Sequence, residues 1–232
     1  LSSQDHGGLD SLQFWGDAMI SLKSASHRKY AESEFINLFN RNIQSIDDSA
    51  SLNFHPSVVH LTTPDGKYKI YSWQLEYNPG EYTYYSCILP SKGKVLLMKS
   101  TPRNLKRINY EEFSDKNWYG ALYYHVFPGD FGGSYLLLGF SLSNDGSKHR
   151  IIEPLHFIDG KPIFGAPLFK KKMDDEIVTV NRLVLSYSSS ANAVFEFDPI
   201  TKQIMQDHIT SFTDPKSGEQ LEVPDGTYEA YE

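Results

Sequence analysis

Cysteine is nearly missing from this chain: Cys87 is the single example in 232 residues, so no internal disulfide can form. Placed between Tyr85 and Ile88 in an apolar run, it is expected to serve as a small buried hydrophobe. No stretch of eighteen apolar residues occurs, so no helical segment is long enough to span a bilayer. Basic residues are scarce too. Lys and Arg number 22 against 29 Asp and Glu, the formal charge is −7, and no basic cluster exceeds Lys170-Lys171-Lys172. Non-specific binding to nucleic acid needs a basic stripe that releases counterions, so nucleic acid is not an expected partner.

Several motifs of known chemistry are absent as well. There is no Walker sequence, Ser188-Ser189-Ser190 lacks the glycines of a nucleophile elbow, and Asp130-Phe131-Gly132 stands without the other elements of a kinase. The Asp-Gly pairs at Asp65, Asp145, Asp159 and Asp225 lack the further carboxylates of a calcium loop, and hairpin turns explain them. Neither a metal nor a cofactor is expected.

The hydrophobic pattern is rich by contrast, and a chain of this length can bury a substantial core unaided. Leu12, Trp15, Met19 and Leu22 recur at helical steps after Asp10 and Ser11, which are suited to capping. Phe35, Leu38, Phe39, Ile43 and Ile46 predict a second amphipathic helix from about Arg28 to Ile46, with Glu32, Glu34, Asn37 and Arg41 outside its apolar face. Asp47-Asp48-Ser49 and the approach to Pro56 should end it.

From Val58 the period changes to two. Val58–Thr62, Tyr68–Tyr77, Tyr82–Leu89 and Val95–Met98 read as strands separated by tight turns, with Tyr71, Trp73, Leu75 and Tyr77 on one face. Thr101–Ser114 is polar and reads as a short helix or an anchored loop. At the centre, the apolar runs Trp118–Phe127 and Ser134–Phe140 flank Pro128–Gly133 and predict a hairpin covered on both sides. Arg150–Ile158 is expected to be a strand interrupted by Pro154, with prolines here and in Lys161–Pro167 marking edges or bulges. Lys170–Glu176 reads as a charged loop tip, and Arg182–Tyr187, Ala193–Phe197, Gln203–Ile209 and Tyr228–Tyr231 as further strands. The last of these reaches the end of the sequence, so the natural chain is expected to run on. Connections this short suit antiparallel neighbours; parallel strands would need crossovers.

The fold expected is mainly β: an antiparallel meander forming a sandwich or strongly curled sheet, with two N-terminal helices packed on it. A small propeller-like arrangement is the alternative. One domain is expected, with residues 1–50 as a helical preface to an antiparallel β domain over residues 57–232.

Candidate chemistry is sparse. His149, Glu153 and His156 would share a helix face as metal ligands, but Pro154 and the strand period separate them. Asp198, Asp207 and His208 lie across a predicted hairpin, yet Asp198 suits a turn opening and adjacent strand residues diverge. The unusual feature is aromatic content, with 15 tyrosines. Trp73, Trp118 and Tyr119 could stack against glycan rings or a protein partner, or fill the core. The binding candidates are therefore Trp73, Trp118, Tyr119, Asp207 and His208, with no catalytic residue assigned.

DGKYKIYSWQLEY at Asp65–Tyr77, WYGALYY at Trp118–Tyr124, IIEPLHFIDGKPIFGAPLF at Ile151–Phe169 and RLVLSYSSSANAVFEFD at Arg182–Asp198, followed by QDHI and VPDGTYEAYE, carry a resemblance. In that order, and over nearly the whole chain, they resemble a group of uncharacterised exported proteins of Bacteroidetes. The resemblance implies a β-rich fold and a secreted or envelope location, with a signal peptide removed before Leu1, and transfers no catalytic residue. The expected function is a non-catalytic exported binding or assembly protein of the cell envelope, with an envelope protein or glycan as partner. The alternative is a hydrolase built from dispersed polar residues near Asp207 and His208.

Overall fold

The computed structural model describes residues 6–43, 55–102, 105, 108–129, 133–173 and 176–231. Two helices, α1 (His6–Ser21) and α2 (Ala25–Asn42), form a hairpin. Four strands follow as a meander: β1 (Val59–Thr62), β2 (Tyr68–Asn78), β3 (Glu81–Pro90) and β4 (Leu96–Lys99). After a single 3-10 turn at Ile108–Tyr110 come β5 (Phe113–Ser114), β6 (Leu122–Pro128), β7 (Tyr135–Leu142), β8 (Lys148–Ile158) and β9 (Lys161–Phe164). They form a second sheet in the order β5-β9-β8-β7-β6, to which β12 (Leu183–Tyr187) adds by pairing with β8. A separate hairpin of β10 (Phe169–Met173) and β11 (Glu176–Val180) precedes β12. A third sheet holds β13 (Phe195–Asp198), β14 (Gln203–Thr213) and β15 (Gln220–Tyr231). Every pairing is antiparallel, and no sheet of the described residues closes into a barrel.

Burial divides the molecule into stacked layers. One face of the meander, Tyr71, Trp73, Leu75, Tyr85 and Cys87, packs on Leu12, Met19, Phe35 and Phe39 of the helices. The other, Ile70, Tyr84 and Ile88, meets Tyr123, Leu137 and Ile151 of the second sheet. That sheet's far face, Leu138 and Ile152, packs with Leu185, Phe195 and Ile204 under the third. The predicted β architecture and its helical cover are thus present, with the period-two face of β2 lying under the helices. The sheets hold four, six, three and two strands, so the described residues do not repeat as propeller blades.

Local differences from the sequence reading have physical causes. Asp10 and Ser11 lie inside α1 and do not cap it, because the helix already runs from His6. Glu32, expected on the wet face of α2, is buried: Tyr77 of β2 reaches up and donates its hydroxyl to Glu32 Oε2 at 2.5 Å. Trp118–Ala121 is a loop rather than strand, turned by Gly120 at φ +100° where a Cβ would meet Ser100 and Tyr84 Cβ within 2.8 Å. Strand β6 ends the hydrogen-bonding order of its sheet, so the central hairpin contributes one interior strand, β7, and one edge.

Pro154 does not interrupt β8. Its carbonyl accepts from Gly165 N–H at 2.7 Å, so its nitrogen faces the same side of the strand. There β12 pairing ends at Ile152 and β9 pairing begins at Leu155, leaving a gap that needs no donor. Lys170–Lys172 belong to strand β10 rather than to a loop tip, each lysine paired across to β11. The helix-ending signal at Asp47-Asp48-Ser49, Ile46, and Asp130-Phe131-Gly132 lie outside the described residues.

Candidate functional site

The sequence candidates are scattered through these layers. Trp73 and Trp118 are fully buried and Tyr119 is 4 % exposed, so none of the three offers a ring to a ligand at the surface. Trp73 sits between helices and meander, stacked 5.5 Å from Tyr85. Trp118 and Tyr119 belong to a sealed polar cluster around Glu153. Arg182 Nε donates to Glu153 Oε2 at 2.8 Å, and Tyr119 and Tyr123 donate to Oε1 at 2.6 and 2.5 Å. Trp118 Nε1 in turn donates to the Tyr123 hydroxyl at 2.9 Å. The remaining Arg182 donors reach the carbonyls of Ile108, Glu111 and Phe164. Burial, followed by the Glu153 charge, holds both phenols far above their ordinary pKa, so they remain donors. With both ionic side chains wholly buried, this cluster joins loops to strands and is closed to substrate.

The other members of the imagined metal triad also part company. His149 lies between two hydroxyls, Ser143 Oγ 2.7 Å from Nε2 and Ser186 Oγ 2.8 Å from Nδ1, while Glu153 is committed to Arg182. Among the described residues no group of three His, Cys, Asp or Glu side chains is placed to hold a metal ion.

Asp207 and His208 diverge, as neighbours on a strand should. Asp207 is buried and accepts from Val194 N–H at 2.7 Å, which fixes the approach to β13. Asp198 opens a turn by accepting from Ile200 N–H at 2.8 Å. His208 faces outward at the register shift where Asp225-Gly226-Thr227 bulges from β15, and its Nδ1 lies 2.8 Å from Asp225 Oδ2. The Asp225 hydrogen bond raises the His208 pKa above its ordinary value. Asp225 itself is held down at about 2, first by the Thr227 hydroxyl and also by His208. The pair's contribution to stability is therefore complete between the free carboxylate and free imidazole pKa values. It is lost as pH rises through the raised His208 pKa or falls toward about 2. NMR titration should find His208 above 6.5, and Asp225→Asn should move it back down. An unchanged His208 pKa in that variant would show the contact to be absent in solution.

An open cleft of about 740 Å³ lies between the helical hairpin and the meander. Its Arg28 is spent on structure: the guanidinium donates to the carbonyls of Leu22, Lys23, Glu76 and Tyr77 and so ties the helix turn to the end of β2. A smaller cavity of about 380 Å³, between the outer edges of β6 and β13, is built differently. Tyr124, His125 and Phe127 form one wall, Phe195 and Phe197 the other, and Arg150 of β8 enters from the floor.

A β-bulge makes this cradle. Tyr123 pairs with Gly139 and His125 with Leu138, leaving Tyr124 as the extra residue. On a regular strand Tyr124 and His125 would point to opposite faces; the bulge turns both toward the third sheet, on the side Phe127 occupies. The rings are linked: Tyr124 meets His125 edge-on at 5.6 Å, His125 stacks on Phe127 at 5.9 Å, and Phe127 meets Phe197 edge-on at 5.0 Å. The Arg150 guanidinium lies 5.5 Å from the Tyr124 ring centre and 5.9 Å from that of Phe140. No carboxylate of the described residues pairs with it, and its buried Nε has no acceptor. Glu196, the carboxylate on the cradle's lining, is exposed at the rim and pairs in register with the outward-facing Met205.

The sequence reading missed this group. Its signal was present only in part, as an arginine inside the apolar strand HRIIEPL and as aromatics in YYHVF. No family model, curated protein or solved structure matches the chain.

Proposed function

We propose that this chain is an exported binding or assembly protein of the bacterial cell envelope, and that the cradle between β6 and β13 is its recognition site. One observation carries the reading: a guanidinium without a carboxylate partner, set among aromatic rings at an open cavity. Burying this cation costs desolvation, offset only by neutral groups, the Tyr124 and Tyr187 hydroxyls and the ring faces, whereas a ligand anion would supply the counter-charge it lacks. Export and envelope location rest on the resemblance of the sequence blocks to exported proteins of Bacteroidetes. The hydrolase reading near Asp207 and His208 draws no support from their geometry, since one serves a backbone amide and the other faces Asp225 on the opposite side.

Affinity capture from an envelope extract tests the reading. The wild-type chain should retain a glycan or protein that Phe127→Ala/Phe197→Ala does not, both chains being matched for folding by circular dichroism. Equal retention by the two would remove the cradle from recognition.

A further inference from the structure

Resting on that binding role for the cradle, we propose that its ligand is an acidic saccharide: a pyranose ring bearing a carboxylate, stacked on Phe127 and Phe197 with the carboxylate on Arg150. Each part of the ligand answers a feature of the site. A guanidinium presents a planar fork of donors that matches a carboxylate in two parallel hydrogen bonds, and Arg150 lines the cavity with no carboxylate of the described residues paired to it. The walls supply ring faces and edges in series, from His125 through Phe127 to Phe197, and the apolar C–H face of a sugar packs on such surfaces. The rim supplies polar groups for hydroxyls, the Glu196 carboxylate and the His125 ring. A volume near 380 Å³ accommodates a sugar ring and its substituent rather than a folded partner.

An extended acidic peptide fits less well. Peptides that add to a sheet need a straight run of free backbone along the edge. Here the β6 edge is broken at Tyr124 by the bulge, and β13 has only four residues. The edges are thus poor templates for another strand, while the side chains between them form a lined cavity.

Calorimetry and NMR on the full chain with a hexuronic-acid oligosaccharide and the corresponding neutral hexose oligosaccharide test the proposal. The acidic sugar should bind and shift the His125 and Tyr124 resonances, and the neutral one should bind about tenfold or more weakly. Arg150→Gln should remove that preference, and Arg150→Lys, which keeps charge but loses the fork, should restore it only in part. Thermal melts of both variants check that the sheet is intact. If both sugars bind at these residues with equal affinity and Arg150→Gln changes neither, the acidic class is wrong while the cradle remains a binding site. If neither sugar shifts those resonances, the saccharide assignment falls, and the capture experiment with the Phe127/Phe197 variant then decides separately whether the cradle binds anything.

Discussion

Arg182→Met is expected to cost about 3–5 kcal/mol of folding stability, the range for removing one partner of a buried ion pair. The side chains of Arg182 and Glu153 are both fully buried, so the loss leaves a carboxylate in the core with only the Tyr119 and Tyr123 hydroxyls as donors. Three carbonyls, of Ile108, Glu111 and Phe164, lose their donor in the same step, and each buried acceptor left bare adds to the penalty. A domain of ordinary stability holds about 5–15 kcal/mol, so the variant should lie near its unfolding threshold. Arg182→Lys should recover little, because one ammonium cannot reach a carboxylate and three separate carbonyls at once. Urea denaturation gives the test, with the double variant Arg182→Met/Glu153→Leu as its control. Removing both charges should destabilise by less than the sum of the single changes. A cost under about 1 kcal/mol for Arg182→Met would mean that water reaches the pair and that the cluster does not join the sheet to its loops.

This cluster also shows what the sequence revealed and what it withheld. Period-two runs and tight turns disclosed the antiparallel strands because both are local properties. Glu153 and Arg182, 29 residues apart, carry no local sign of pairing, although Glu153 interrupts the apolar strand IIEPL and Arg182 immediately precedes the apolar strand LVLSY. A charge embedded in such a run is the signal that a distant opposite charge must cover it. Pro154 pointed to an edge because a missing N–H is harmless there, but a gap between two strands sharing one side of β8 satisfies the same requirement inside the sheet. The cradle was hidden for a related reason. Alternation places Tyr124 and His125 on opposite faces, and only the register against β7 reveals the extra residue that brings them together. Aromatic content therefore suggested a recognition surface without indicating which rings would remain open.

Trp73 illustrates the difference between an aromatic that binds and one that packs. Trp73→Ala is expected to destabilise the chain by about 3–5 kcal/mol, the cost of deleting a large aromatic from a core. The indole is fully buried, stacked 5.5 Å from Tyr85, edge-on to Phe35 at 5.5 Å and tilted against Phe39 at 5.5 Å. Truncation would empty the centre of the layer that holds α2 on the meander, where neighbouring strands paired along β2 cannot collapse to fill the space. Trp73→Phe should cost much less: it keeps a ring in the layer and deletes an indole N–H that has no acceptor among the described residues. Hydrogen exchange should locate the damage, with protection of α1 and α2 falling before that of β7 and β8, since the helices depend on this layer and those strands on the next. Ligand binding at the cradle, which opens on the far face of the second sheet, should survive Trp73→Ala in the folded fraction. A variant that kept its stability but lost binding would reverse the assignment and make Trp73 part of the recognition surface.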